Sequence, residues 1–338
     1  MKAIVCKSKG DLIIEQIDAP KFTSSTQLVH ANVLIKAFGI NRADLLQKSG
    51  YYPAPAGIPQ DILGLEFAGV IESFSDYQEH SGEFTVGDRV MGICSGAAYA
   101  EQIIVPRDQL IPIPDAFSFV TAAAIPEAHL TAFDALVNQA QIQSGEDVLI
   151  HAIGSGVGSA AAHIAQFLGA KVVGTTRTEW KRQRAEQSLP VEDVWLAKNG
   201  RFKSQESEKK FDVILDFVGA AYLKENISCL KSCARLVMIG LLGGAKTDIN
   251  LGVILAKRAH LIGTVLRSRS TSEKIALTQK YKREILPFLR ETTEPNHSAD
   301  YLVRLEPIQS IYNAKDILHV HQHLEDGLVW SKLVCVWE

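Results

Sequence analysis

At 338 residues the chain is long enough for about two domains, and 46% hydrophobic residues supply apolar material for two cores. A net charge of −3, with 22% charged residues, gives no bulk electrostatic basis for nucleic-acid binding. No run of 18 apolar residues occurs and the opening MKAIVCKSKGDLIIEQ lacks a signal-peptide core, so neither a membrane span nor export is expected.

The first predicted strand is Lys2 to Cys6, and strands follow at Leu12 to Ile17, Asn32 to Ala37, Gly69 to Phe74, Arg89 to Ile93 and Tyr99 to Val105. Gly and Pro punctuate them, and one short helix covers Arg42 to Lys48. From about Thr121 the pattern changes to helix–strand alternation. Parallel strands are predicted at Val148 to Ile150, Lys171 to Thr175, Val191 to Leu196, Phe211 to Phe217, Arg235 to Leu241 and His260 to Leu266. Six is the count of a complete dinucleotide-binding sheet. The tail reads as an amphipathic helix over Ser272 to Arg290, a strand near Leu302 to Leu305, a helix over Ile311 to Leu324 and a strand over Lys332 to Val336. It is too short for a third domain and is expected to pack back on the N-terminal one.

The most informative stretch is EDVLIHAIGSGVGSAAAHIAQFLGAKVVGTT, Glu146 to Thr176. It reads as strand, glycine turn, helix and strand. In Gly154, Ser155, Gly156, Val157 and Gly158 the glycines allow a tight turn and close approach to a pyrophosphate, and the helix that follows, Ala160 to Leu168, turns its free N–H groups toward the phosphates. Ser159 stands where the fingerprint expects a third glycine or alanine. The second strand ends in Thr176, Arg177 and Thr178, followed by Lys181, where an NAD site carries an acid for the ribose 2′-hydroxyl. A guanidinium and an ammonium suit a 2′-phosphate instead, so NADPH is the expected cofactor, with Glu179 as an opposing charge.

The five cysteines, Cys6, Cys94, Cys229, Cys233 and Cys335, are odd in number and scattered, which fits a reducing cytoplasm. Cys229 and Cys233 read as small apolar residues. His319, His321 and His323 read as a surface helix end, because on a helix only the first and last share a face.

Four strings carry a family likeness: GINRADLLQKSGYYP at 39–53, ILGLEFAGVIE at 62–72, AAAIPEAHLTAFDAL at 122–136 and LRSR at 266–269. They resemble the zinc-less quinone oxidoreductases of the medium-chain dehydrogenase/reductase superfamily, over essentially the whole chain. The nearest likeness is to the tumour-suppressor-induced branch. The resemblance implies an α/β chain in which a GroES-like, β-rich catalytic domain (1–121 and 267–338) is split around a doubly wound Rossmann domain (122–266). It also implies a homodimer. Zinc relatives carry a cysteine where this chain has Asn41 and a histidine where it has Leu65, and they add a four-cysteine lobe. A catalytic zinc needs about three protein ligands, so no metal is expected.

The resemblance places Asn41 and Tyr52 beside the nicotinamide as the catalytic pair. Asn41 also suits a helix cap, and Tyr52 also suits packing in a Pro-rich loop. Thr131 matches a threonine beside the nicotinamide or its phosphates. Val218 and Gly219, and Gly240, Leu241 and Leu242, follow the ends of the fourth and fifth strands, where doubly wound sheets bind ligands. Leu266 and Arg267 fall in the fourth string. Arg267 and Arg269 have two readings, cofactor contact or surface ion pair. Lys332 matches the lysine of the last strand, preceded here by Ser331 where the family has glycine. Trp195 to Lys198 lacks the tyrosine that some relatives place near the adenosine.

Without a Lewis acid a plain ketone is a hard hydride acceptor. A quinone, which becomes a phenolate with a pKa of roughly 10, is an easy one. The expected function is therefore NADPH-dependent reduction of a quinone or other activated small molecule. Reduction of enone or alkenal double bonds is the alternative enzyme reading. A structural or regulatory NADPH-binding protein is the alternative outside catalysis.

Overall fold

The structure, a computed structural model, describes residues 1–7, 10–22, 28–75, 82–198, 200–202, 208–291, 303–305 and 310–337, with only the backbone at 290–291 and 303–304. The chain opens with β1 (Lys2–Cys6), β2 (Leu12–Gln16), β3 (His30–Ile40), α1 (Arg42–Lys48), β4 (Glu66–Phe74), β5 (Arg89–Ile93), β6 (Gln102–Pro106) and β7 (Ile111–Pro112). Helices α2 (Phe119–Ala123) and α3 (Pro126–Phe133) follow. Alternation then begins with β8 (Asp147–Ile150), α4 (Gly156–Phe167), β9 (Lys171–Thr176), α5 (Glu179–Ser188) and β10 (Asp193–Leu196). It continues through β11 (Phe211–Asp216), α6 (Ala220–Cys229), β12 (Leu230–Met238), α7 (Leu251–Lys257) and β13 (His260–Gly263). The chain closes with α8 (Thr271–Glu284), β14 (Leu289–Glu291), β15 (Val303–Leu305), β16 (Ser310–Asn313), α9 (Ile317–Glu325) and β17 (Leu333–Val336).

These elements form two compact units. The first comprises Met1–Leu130, Leu266–Glu284 and Ile308–Glu338, and the second Thr131–Val265 and Ile285–Pro307. The first is built on a sheet ordered β16-β17-β3-β4-β5-β7, with β6 also paired to β3. The eleven residues of β3 serve several neighbours: one stretch pairs with β4, His30 to Leu34 pair with β6, and Ala37 to Ile40 pair with β17. Phe38, Leu63, Phe67 and Tyr99 fill its core.

The second unit is a six-stranded parallel sheet ordered β10-β9-β8-β11-β12-β13, the doubly wound order. β8, β9 and β11 are almost continuously buried, which is why they read as apolar runs rather than alternating ones. Each fully buried Val, Leu or Ile side chain contributes about 1.5–3 kcal/mol. The described residues between 285 and 305 fall in this unit, where β15 packs against α4 and Leu289 is buried.

Several predicted bounds move. The helix from Ser272 stops at Glu284, just ahead of a short 3-10 turn, Leu286–Phe288, that contains Pro287. The fifth sheet strand is Leu230–Met238, so Gly240 already lies in the following loop. Ile311 and Tyr312, predicted helical, are a strand in parallel register with Val334 and Cys335, and the helix begins only at Ile317. Leu302 lies outside the described residues. Cys233 is exposed at φ +59°, so only Cys229 of that pair is a buried small residue. His321 is fully buried rather than on a surface helix end. Among the described residues no helix is long and apolar enough to cross a membrane.

Candidate active site

In the first unit, β17 and β4 flank β3, and this register gathers three polar side chains at one end of the sheet. Asn41 follows β3 and stands at the N-cap of α1, Glu66 opens β4, and Lys332 immediately precedes β17. Asn41 Nδ2 donates to Glu66 Oε1 at 2.7 Å. Lys332 Nζ donates to Asn41 Oδ1 at 2.7 Å, to the Ile40 carbonyl at 3.2 Å, and to Glu66 Oε1. Glu66 Oε2 accepts the backbone N–H of Glu127 at 2.9 Å. Asn41 sits at the helix start, where Asp44 Oδ2 accepts its N–H at 2.7 Å, while its side chain turns to Glu66 and Lys332. Leu65, at the other ligand position of the zinc relatives, is 1% exposed. Ser331 holds φ +56°, a left-handed conformation in which glycine carries no steric penalty.

A second buried group adjoins this one. Tyr99 Oη donates to Asp44 Oδ2 at 3.0 Å and lies 3.1 Å from His321 Nε2. Asp44 Oδ1 also accepts the Gly64 N–H at 3.2 Å. Burial pushes the Asp44 carboxyl up to about 6, against the Asn41 N–H and the Tyr99 hydroxyl. Burial holds His321 down at about 3, with Lys48 adding to the effect. Glu127, on the first turn of α3, is pushed up to about 8, first by burial and then by Glu66, with Lys332 pulling the other way.

The guanidinium of Arg267 is buried inside the first unit, not spread on its surface. It donates to the carbonyls of Ser95 and Tyr52, each at 2.8 Å, and to Gln47 Oε1. Its centre lies 5.0 Å from the centroid of the Tyr52 ring. Lys274 Nζ donates to the Arg267 carbonyl at 2.7 Å. Tyr52 is therefore positioned by the LRSR string, and burial, followed by Glu127, raises its phenol above the ordinary value. Leu266 is buried beside Arg267 in sequence.

In the second unit the predicted cofactor residues lie along the carboxyl edge of the sheet. Gly154 to Gly158 follow β8, Thr176 ends β9 with Arg177 and Thr178 just beyond it, Val218 and Gly219 follow β11, and Gly240 to Leu242 follow β12. Ser155 caps α4, its Oγ accepting the Gly158 N–H at 3.0 Å. A Cβ on Gly158 would lie 2.5 Å from the Ala152 carbonyl oxygen, so this glycine serves close packing of the turn. Ser159 fits the third fingerprint position because its Oγ donates to the Gly156 carbonyl at 3.2 Å. The two later loops are zipped together, with Gly243 N–H to Val218 O at 2.7 Å and Ala220 N–H to Gly244 O at 2.9 Å. Thr131 is the first residue of this unit, within α3.

Arg177 and Lys181 have no acidic partner among the described residues, while Glu179 is engaged by Arg182 at 2.9 Å. Burial, then the Arg177 charge, lowers Lys181 to about 8. Two adjacent cations without a counter-ion fit a phosphate dianion.

Beneath this edge runs a buried polar chain that the sequence reading missed. Thr175 Oγ1 meets His151 Nδ1 at 2.9 Å, and His151 Nε2 meets Asn226 Oδ1 at 2.7 Å. Asn226 Nδ2 donates to Asp216 Oδ2 at 3.0 Å, and Asp216 Oδ1 accepts the N–H groups of Val218 and Gly219 at 2.7 and 3.0 Å. Burial disfavours the charged imidazole of His151. The chain fixes the Val218–Gly219 turn, with Gly219 at φ +78°. Polar residues next to apolar strands, such as His151 and Asp216, were the available signal. Glu66 and Glu127 fall within the 62–72 and 122–136 strings, where no spacing pattern marks them.

Residues 29–115 match the alcohol dehydrogenase GroES-like domain and residues 156–280 the zinc-binding dehydrogenase family. The quinone oxidoreductase of Salmonella typhimurium is 34% identical over 248 residues, which are 72% of this chain and 74% of that protein. The chain belongs to the quinone oxidoreductase family. It is thereby an oxidoreductase of the medium-chain dehydrogenase/reductase superfamily, with the GroES-like and Rossmann domains of that superfamily. A second similarity is to the squalestatin tetraketide synthase of Cochliobolus lunatus, 32% identical over 243 residues, 70% of this chain but only 9% of that protein. The quinone oxidoreductase fold also recurs in mycobacterial Rv1454c complexed with NADPH, with TM-score 0.79 and 21% identity over 99% of this chain and 100% of that one.

Proposed function

We propose that this chain is an NADPH-dependent, zinc-independent reductase of quinones. NADPH supplies a hydride when bound. Arg177 and Lys181 grip its 2′-phosphate, and the Gly154–Gly158 turn with the start of α4 takes the pyrophosphate. Thr131, Val218, Gly219, Gly240, Leu241 and Leu242 complete the cofactor crevice. Asn41 orients the nicotinamide, and the Tyr52 hydroxyl, which has no hydrogen-bond partner among the described residues, donates to the acceptor oxygen as charge builds there. Arg267 and Lys332 act on this arrangement by holding Tyr52 and Asn41 in place.

The observation that carries the reading is the commitment of Asn41. Its carbonyl oxygen accepts from Lys332 and its amide donates to Glu66, and the neighbouring ligand position is a buried leucine. This donor set does not suit zinc, which prefers thiolate and imidazole, so the acceptor must be intrinsically electrophilic. The test is steady-state NADPH and NADH oxidation with menadione, an enone and a plain secondary alcohol, after exhaustive chelation. Quinone turnover with NADPH is expected to survive chelation. Loss of activity on removal of stoichiometric zinc, or comparable turnover of the alcohol, defeats the reading.

Reduction of conjugated double bonds is a second reading. It is supported by the similarity to the squalestatin tetraketide synthase and by the fold shared with CurK enoyl reductase, TM-score 0.79 at 21% identity. The enone arm of the same panel distinguishes the two.

We also propose a homodimer built on the second unit. β13 ends the sheet, α7 buries none of its residues, and Leu251, Leu255 and Leu261 are 71%, 80% and 37% exposed. Light scattering should find a dimer that Leu255→Glu dissociates; a monomeric wild type rejects it.

A further inference from the structure

We propose that Glu127 is the catalytic proton donor, delivering its carboxyl proton to the acceptor oxygen as hydride arrives. The inference rests on the reductase reading above. The quinone gains a hydride with its electron pair, NADPH becomes NADP⁺, and one oxygen of the acceptor is left anionic. The O–H bond of the Glu127 carboxyl breaks and a new one forms on that oxygen. The resulting carboxylate regains its proton from water.

The ionisable groups of the first-unit cluster differ in what they have left to give. Glu66 is fully buried and holds Asn41, Lys332 and the Glu127 N–H. Asp44 is fully buried and accepts from Asn41, Gly64 and Tyr99. Tyr99 and His321 are fully buried and face each other. Lys332, Lys274 and Arg267 are buried, and each is engaged by carbonyl or side-chain oxygens. Glu127 and Tyr52 alone among these are partly exposed. The Glu127 carboxyl, like the Tyr52 hydroxyl, has no hydrogen-bond partner among the described residues.

Placement and charge agree with this role. The backbone N–H of Glu127 is tied to Glu66 Oε2, which fixes the residue beside the Asn41 cluster. The groups acting on it are Glu66 at the start of β4 and Asp44 on α1, which favour the neutral acid. Lys332 before β17 and Lys274 on α8 oppose them. Tyr52, Cys94 and Arg267 also sense its charge. The start of α3 favours the carboxylate, but burial and the two acids prevail, keeping the proton on at neutral pH. Tyr52 is shifted toward a weaker acid by burial and by Glu127 itself, so it suits hydrogen bonding to the acceptor rather than transfer of its proton.

The test uses the full chain and its Glu127→Gln and Glu127→Asp variants, with fold checked by thermal melting and NADPH affinity by titration. With menadione, wild-type kcat should fall as pH rises through about 8, because the protonated acid is the active form. Glu127→Gln should lose about tenfold in kcat at neutral pH, lack that alkaline limb and keep its NADPH affinity. With dichlorobenzoquinone, whose reduced form is a stronger acid, the loss should shrink to under about twofold. Glu127→Asp should keep the limb with intermediate kcat. Independently of turnover, a protonated-carboxyl infrared band that titrates near this pH should vanish in Glu127→Gln. Wild-type-like kcat and pH profile in Glu127→Gln, or a loss equal for both quinones, overturns the assignment while leaving the reductase reading intact. A wild type that binds NADPH yet turns over neither quinone nor enone removes the reading and this role together.

Discussion

Lys332 and Glu66 form an ion pair whose side chains are 7% and 0% exposed, and Asn41 bonds to both. Partners this deeply desolvated depend on each other. Truncating one leaves an uncompensated buried charge, whereas replacing both with neutral groups is tolerated better.

Lys332→Met should therefore destabilise the fold by about 3–5 kcal/mol. Lys332→Met combined with Glu66→Gln should recover much of that loss. Urea denaturation of the two single variants and the double variant measures the coupling. Additive losses would show that the pair is not mutually dependent.

Arg177 and Lys181, which have no acidic partner among the described residues, are the proposed grip on the cofactor's 2′-phosphate. Removing a charge-assisted contact costs roughly 1.5–3 kcal/mol. Arg177→Ala and Lys181→Ala should each weaken NADPH binding by about tenfold or more, with little change for NADH. Equal losses for both cofactors, measured by fluorescence titration, would refute the phosphate assignment.

Asp44 and His321 meet the same Tyr99 hydroxyl and drive stability in opposite directions with pH. Asp44 is raised from 3.8 to about 6, so its contribution is present below pH 4 and lost as pH rises through 6. His321 is lowered from 6.5 to about 3, so its contribution is present above pH 6.5 and lost as pH falls toward 3. Between pH 4 and 6 the slopes oppose each other, each on the order of 1.4 kcal/mol per pH unit. His321→Gln should expose a loss of stability with rising pH, and Asp44→Asn the reverse. Parallel urea midpoints in both variants across this range would count against the pairing.

Ser331 adopts a left-handed conformation one residue ahead of Lys332. Side chains pay roughly 1–2 kcal/mol there, and β-branched ones fit worst. Ser331→Gly should be at least as stable as wild type, while Ser331→Val should lose about 2 kcal/mol. Thermal melts that rank valine level with glycine would argue against strain at this position.

The sequence alone predicted the second unit's six parallel strands and the glycine turn after the first of them. Parallel strands buried on both faces must be apolar runs, and the glycine turn between β8 and α4 leaves a local signature of spacing and residue size. The strings around Asn41, Leu65 and LRSR likewise identified the family, because those positions carry side-chain identities that need no fold to be read. Only the tertiary structure joined Asn41 to Lys332, 291 positions apart, through the register of β17 on β3. It alone turned Arg267 inward onto Tyr52 and left the Glu127 carboxyl with no hydrogen-bond partner among the described residues. Sequence periodicity reports which face of an element is apolar, as with α9. It does not report that His321 on that helix would face Tyr99, because strand pairing and helix docking between distant segments decide which polar groups share a desolvated space.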